Sequence, residues 1–253
     1  MQESQPGTPA MSSPTSFLNR MTNVFASPSQ LFTEVSSAPA QTTSWLIPYL
    51  ISILLAFVVT ITLFNNPTIR QQILDAQEQG MKQKLADGKM TQQQYDQATS
   101  QMENMGTGMF VAFGGIFAAI AISALFFVGS LVLWVAARLA MKYSGTYTKI
   151  LEVYGLSVFI GIFGTIITMI MWSLMNTMYA TPSAALMVLG SFDPMNKVHK
   201  LLSFLNVFTI WQVVVLGIGL AKVSFKPNSS GIVIALAAWA VLVAVSIVLG
   251  IGA

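Results

Sequence analysis

MFVAFGGIFAAIAISALFFVGSLVLWVAA, residues 109–137, runs for 29 residues without a single charge. At a rise of about 1.5 Å per residue, a helix of that length reaches ~43 Å, more than the ~30 Å hydrocarbon core of a bilayer. Four more runs are of the same kind: Trp45–Phe64, Ile150–Met178, Leu201–Leu220 and Gly231–Gly250. Each reaches the ~18–20 residues that a membrane crossing needs. The chain therefore reads as an all-α integral membrane protein with five transmembrane helices. The two longest runs are expected to tilt or to project into water.

Composition agrees. Charged residues make up 8% of the chain and apolar residues 54%, against about 25% charged in a soluble domain. Lipid must be the solvent for much of this surface. The net charge of +3 is small and its basic residues are spread over loops, which argues against a nucleic-acid partner. There is no cysteine, so disulfides, thiolate nucleophiles and cysteine-held metals are excluded. The N-terminus lacks the basic and apolar regions of a signal peptide, and the first span is expected to act as its own insertion signal.

Residues 1–44 read as a cytoplasmic tail. Residues 1–15, rich in Gln, Ser, Thr and Pro, are too polar to order themselves. Phe17, Leu18, Met21, Val24 and Phe25 then share one helical face. Ser27-Pro28-Ser29-Gln30 opens a second helix, whose face is Leu31, Phe32 and Val35. These two amphipathic helices either lie on the membrane surface or pack against the bundle.

The polar stretch 65–108 reads as an extramembrane helical hairpin. Pro67 starts its first helix, Asp87-Gly88 ends it, and Thr91-x-x-Gln94 caps the second. Its charges nearly cancel, which fits a solvated cap or a docking surface for a partner. Thr181–Phe192 is apolar but too short to span, and an interfacial or re-entrant helix fits it. The short loops after the second and fourth spans hold Arg138, Lys142, Lys149, Lys222 and Lys226 with no acid, whereas the other two balance six basic residues with six acidic ones. By the positive-inside rule the N-terminus is cytoplasmic and the C-terminus outside.

Little in the chain points to chemistry. His199 is the one histidine, flanked by Lys197 and Lys200, and reads as an interfacial polar residue rather than a catalytic base. No catalytic residue, cofactor or metal site is expected. Met102, Met105 and Met109 would share a helical face that suits Cu(I), although thioethers also fill ordinary apolar gaps. Glu152 stands one turn from Lys149, and an i, i+3 ion pair accounts for it. Asn176, Asn206, Gln212, Thr165 and Thr168 are the uncharged polar candidates within or beside the spans. Small residues at Gly114, Gly115, Ala118, Ser157 and Gly161 predict close contact between the second and third spans. The same faces would serve a homo-oligomer.

At the fourth and fifth spans the chain resembles a known family. Asn206-Val207-Phe208-Thr209-Ile210-Trp211 precedes Leu216-Gly217-Ile218-Gly219-Leu220, a short basic loop and an Ala- and Val-rich span through Trp239. Ser27 to Phe32, then Trp45-Leu46-Ile47-Pro48, is similar to the family's segment entering the first span. Tyr154-Gly155 matches an element near the start of the third. These segments resemble the Yip family, the Ypt/Rab-interacting five-span membrane proteins, in a bacterial type. Members commonly carry an acid where Asn206 stands. The Asp-Leu-Tyr-Gly-Pro element of eukaryotic members is absent, so small-GTPase binding does not carry over. The resemblance implies a non-enzymatic protein of a bacterial inner membrane that organises the bilayer or recruits a protein partner. A small transporter or channel, with a polar path between the third and fourth spans, is the alternative.

Overall fold

The structure is a computed structural model, and it describes residues 16–249. The tail at 1–15 and the end of the fifth run at Gly250 lie outside the described residues. The described chain is helical: α1 (Phe17–Ala26), α2 (Pro28–Ser37), α3 (Thr43–Asn65), α4 (Pro67–Ala86), α5 (Gln92–Asn104), α6 (Thr107–Met141), α7 (Tyr147–Met175), a 3₁₀ helix at Ala184–Ser191, α8 (Lys197–Phe204), α9 (Val207–Val223) and α10 (Asn228–Leu249). Helices α3, α6, α7 and α10 are long and apolar enough to cross a membrane; α9 is apolar but only 17 residues long. The chain is thus an integral membrane protein built on apolar helices.

The fourth run differs from its expectation. Residues 201–220 do not form one helix, because the chain breaks at Leu205 and Asn206. There Asn206 pairs with Ser183 in an isolated antiparallel bridge: Ala184 N–H donates to the Leu205 carbonyl at 3.2 Å, and Val207 N–H to the Pro182 carbonyl at 3.0 Å. A helix running through Asn206 would lose that pairing. The asparagine instead caps a new helix, its Oδ1 accepting from Phe208 N–H at 2.9 Å and Thr209 N–H at 3.3 Å. The third run ends earlier than its apolar pattern, at Met175, where Asn176 takes a left-handed conformation (φ 51°) that stops the helix. Within the apolar stretch 181–192, Ala184–Ser191 form the 3₁₀ helix, which packs with α8.

Local caps set the polar helices. Asn66 accepts from Thr68 and Ile69 at the start of α4, Gly88 turns the chain with φ 69°, and Thr91 with Gln94 forms a reciprocal capping box at α5. The two helices meet where Tyr95 donates to Glu78 at 3.2 Å. Glu78 also pairs with Lys82 at 2.7 Å, and that hydrogen bond holds the Glu78 carboxyl below its usual range. Met105 ends α5 and Met109 belongs to α6. The three thioethers therefore sit on no common helical face, because the helix they were expected to share is broken between them.

In the bundle, α9 packs between α7 and α10, and α3 lies against both α6 and α7. The amphipathic helices α1 and α2 do not lie free on a membrane surface. Val24, Leu31, Phe32 and Val35 are all fully buried, α1 against α7 and α2 against α9. The core is continuous from these helices into α7 and α9. Burying four such side chains contributes roughly 1.5–3 kcal/mol each relative to water, which favours docking over leaving the face exposed.

Candidate functional site

The layer of α1 and α2 is fixed to the bundle by three charges. Arg20 stands in the middle of α1, and the packing of that helix turns its side chain inward rather than to solvent. Its Nη1 donates to Glu152 Oε1 at 2.9 Å and to Ser44 Oγ at 3.2 Å. The Arg20 and Glu152 side chains are 2% and 0% exposed. Lys149, one turn before Glu152 on α7, donates to Glu152 Oε2 at 2.7 Å. The same ammonium donates at 2.9 Å to the carbonyls of Val35 and Ala38, which close the C-terminus of α2. A cation there complements both the helix dipole and its unpaired carbonyls. Glu152 therefore joins α1 through Arg20 and α2 through Lys149. The i, i+3 pair was legible in sequence; Arg20, its partner across 132 positions, was not, because where α1 docks on α7 decides what that side chain meets.

The family-like positions lie around the same layer. Trp211 meets Phe25 of α1 edge to face, ring centres 5.7 Å apart, and Phe25 also meets Phe163. At Gly219 an added Cβ would strike Val153 and come within 3.1 Å of the Phe32 ring, so the glycine seats α2 in the groove between α7 and α9. Gly217 lies against the backbone of Gly231 and Ile232, where α9 and α10 cross. Gly155 lies against the backbone at Ser44 and Trp45, the start of α3. Phe208 covers Gly164 and packs edge to face on Phe163. Tyr154 packs edge to face on Phe126 of α6, its hydroxyl 3.4 Å from the Leu125 carbonyl.

The small residues of α6 have a different partner from the expected one. Gly114 faces Thr60 and Gly115 faces Phe57, both on α3. At Gly114 and Gly115 the close partner of the second span is therefore the first span, α3, while α6 meets α7 elsewhere, as at Phe126 and Tyr154. Gly161 of α7 faces Gln212 of α9. Ser157 is buried and donates to its own helix at the Tyr154 carbonyl, 2.7 Å, and Ala118 lines a hollow between α3, α6 and α7.

Most of the polar candidates are occupied locally. Thr165 and Thr168 donate to the carbonyls of Gly161 and Gly164, one turn back on α7. Asn206 caps α9, and Asn176 accepts from Asn66 at 3.1 Å. His199 Nδ1 accepts the Asp193 backbone N–H at 2.9 Å, while the Asp193 carboxylate accepts from Met195 N–H. The histidine thus braces a loop and has no carboxylate partner there. Gln212 is the exception, with no hydrogen-bond partner among the described residues. Among the described residues no three His, Cys, Asp or Glu side chains gather to hold a metal.

At the basic end, Tyr143 donates to the Thr146 carbonyl at 3.1 Å in the loop between α6 and α7. Burial pushes its hydroxyl up to about 12. The walls of that end are Ser36 of α2, the 142–149 segment and 223–225, so the two short basic loops meet beside α2.

No curated protein and no solved structure matches this chain. The family model described as the Yip1 domain matches residues 22–250, a range that takes in α2, its seat at Gly219 and the Lys149–Glu152 pair but not Arg20; the chain belongs to the Yip1 domain family.

Proposed function

We propose that this protein is a non-enzymatic, five-span membrane protein that recruits protein partners from a fixed platform on its cytoplasmic face. The observation that carries the reading is the locked layer of α1 and α2. Its apolar face, Leu18 excepted, is buried in the bundle, and its outer side is left free, with Leu18, Asn19, Thr22, Gln30 and Thr33 exposed. A surface mobile enough to insert in lipid would not need a buried ion pair to hold it. α9 supplies the fifth, shorter crossing, about 26 Å long. The loops carrying Lys142, Lys149, Lys222 and Lys226 meet at the α1–α2 end, which supports a cytoplasmic N-terminus and an outer C-terminus. The α4–α5 pair then lies on the opposite side as an extracytoplasmic hairpin. The bacterial inner membrane is the proposed location.

Deleting residues 1–38 would be a poor test, because it uncovers Glu152 and the core. The better test places photo-crosslinking residues singly at Leu18, Asn19, Thr22 and Thr33 in the full chain. A discrete adduct with one protein from native membranes is the expected result. Adducts only with lipid at all four positions would overturn the recruitment reading.

A further inference from the structure

Helices α6 and α10 barely touch, and between them lies an intramembrane crevice of about 470 Å³. Its walls include Leu125 and Gly129 of α6, Tyr154 of α7, Gln212 of α9, and Ala238 and Trp239 of α10. A second hollow of about 470 Å³, on the α3 side, shares Leu125, Tyr154, Thr209 and Gln212 with the first. Each volume falls within the roughly 300–1,000 Å³ typical of small-molecule sites. Gln212 stands where the two hollows meet.

The depth of that side chain decides what fits. The Gln212 Oε1 atom comes to 2.5 Å from the ideal Cβ position of Gly161, the central residue of α7. The amide therefore lies at mid-membrane. Neither it nor the Thr209 hydroxyl has a hydrogen-bond partner among the described residues. An unpaired amide in hydrocarbon is strongly unfavourable. Water is poorly held where most walls are Ala, Val, Leu and Gly. A phospholipid keeps its polar groups at the interface and offers only methylenes at this depth. The matching occupant is an apolar molecule that carries a hydrogen-bond acceptor within the membrane core, and flat enough to lie beside Trp239.

We propose that this crevice binds an isoprenoid quinone, its ring carbonyl accepting from Gln212 and Thr209 and its tail lying between α6 and α10. Gly161 is part of the site, because its missing side chain seats the Gln212 amide.

The test uses the full chain in phosphatidylcholine nanodiscs free of quinone, titrated with a ubiquinone carrying a tail of two isoprene units. Quenching of tryptophan fluorescence reads binding. The chain has five tryptophans, and Trp239→Phe assigns the signal. Saturable quenching is expected, with affinity lowered about tenfold in Gln212→Leu and binding blocked in Ala238→Leu. Absence of saturable quenching in the native chain would overturn the proposal. So would unchanged affinity in Gln212→Leu, which would assign the crevice to an acyl chain. If that variant does not fold, an isoprenoid hydrocarbon without carbonyls is offered to the native chain as competitor. Failure to compete supports the quinone, and equal competition refutes it.

Discussion

Arg20 Nη1 lies 2.9 Å from Glu152 Oε1, joining the middle of α1 to the first turns of α7 across 132 positions of sequence. Both side chains are removed from solvent. A buried pair of this kind is asymmetric in its energetics: losing one partner strands a charge, whereas replacing both need not destabilise.

Glu152→Gln is therefore expected to cost about 3–5 kcal/mol, because it leaves Arg20 buried without a counter-charge. The double variant Arg20→Met, Glu152→Gln should recover the part of the loss that is due to Arg20, while Lys149 keeps its hydrogen bonds to the Val35 and Ala38 carbonyls. Thermal unfolding in detergent, followed by helical circular dichroism, checks both. A double variant less stable than Glu152→Gln would contradict the account.

Glycine substitutions should separate by what their Cβ would meet. Gly217→Ala pushes against the backbone of Ile232, which cannot rotate away, and should destabilise by about 1–3 kcal/mol. Gly80→Ala, within α4 and with nothing within 4 Å, should stabilise by up to about 1 kcal/mol through helix propensity. Opposite signs in the two melting shifts are the expected reading.

Asn206 offers a test of the cap that splits the fourth run. Asn206→Ala removes the acceptor for Phe208 and Thr209 N–H and should cost about 1 kcal/mol. Asn206→Asp keeps the acceptor and adds a negative charge at a helix N-terminus, so it should match or exceed the native melting temperature. The same comparison by melting temperature distinguishes a cap from a packing role, in which both variants would fall together.

Tyr143 sets an alkaline limit. Its hydroxyl is raised by burial from an ordinary value near 10 to about 12, so the folded state holds that proton more tightly than the unfolded one. The stabilising contribution is complete below pH 10 and is lost as pH rises toward 12. Tyr143→Phe cannot ionise and should flatten the fall in stability over that window. Absorbance near 295 nm should show one tyrosine fewer titrating around pH 12 in the variant.

The family-like positions were legible as residues but not as contacts. Trp211, Gly217 and Gly219 stand out in sequence, yet that Gly219 seats Phe32 depends on where α2 docks. The small residues of α6 show the same gap. Gly114 and Gly115 announce a close helix approach, but a small-residue face does not name its partner, and the partner is α3.

By itself the sequence determined the membrane class, the long apolar helices, the helix starts at Pro28 and Pro67 and the Thr91–Gln94 capping box, because hydrophobic length and capping act within a few residues. The capping box expected of Ser27 and Gln30 does not form, the Ser27 side chain making no cap hydrogen bond. Only the tertiary structure decided that α1 turns Arg20 inward to Glu152, that Asn206 breaks the fourth run by pairing with Ser183, and that Gln212 faces a crevice together with Thr209. Those outcomes depend on which faces meet, and pairings between elements distant in sequence leave no local pattern to read.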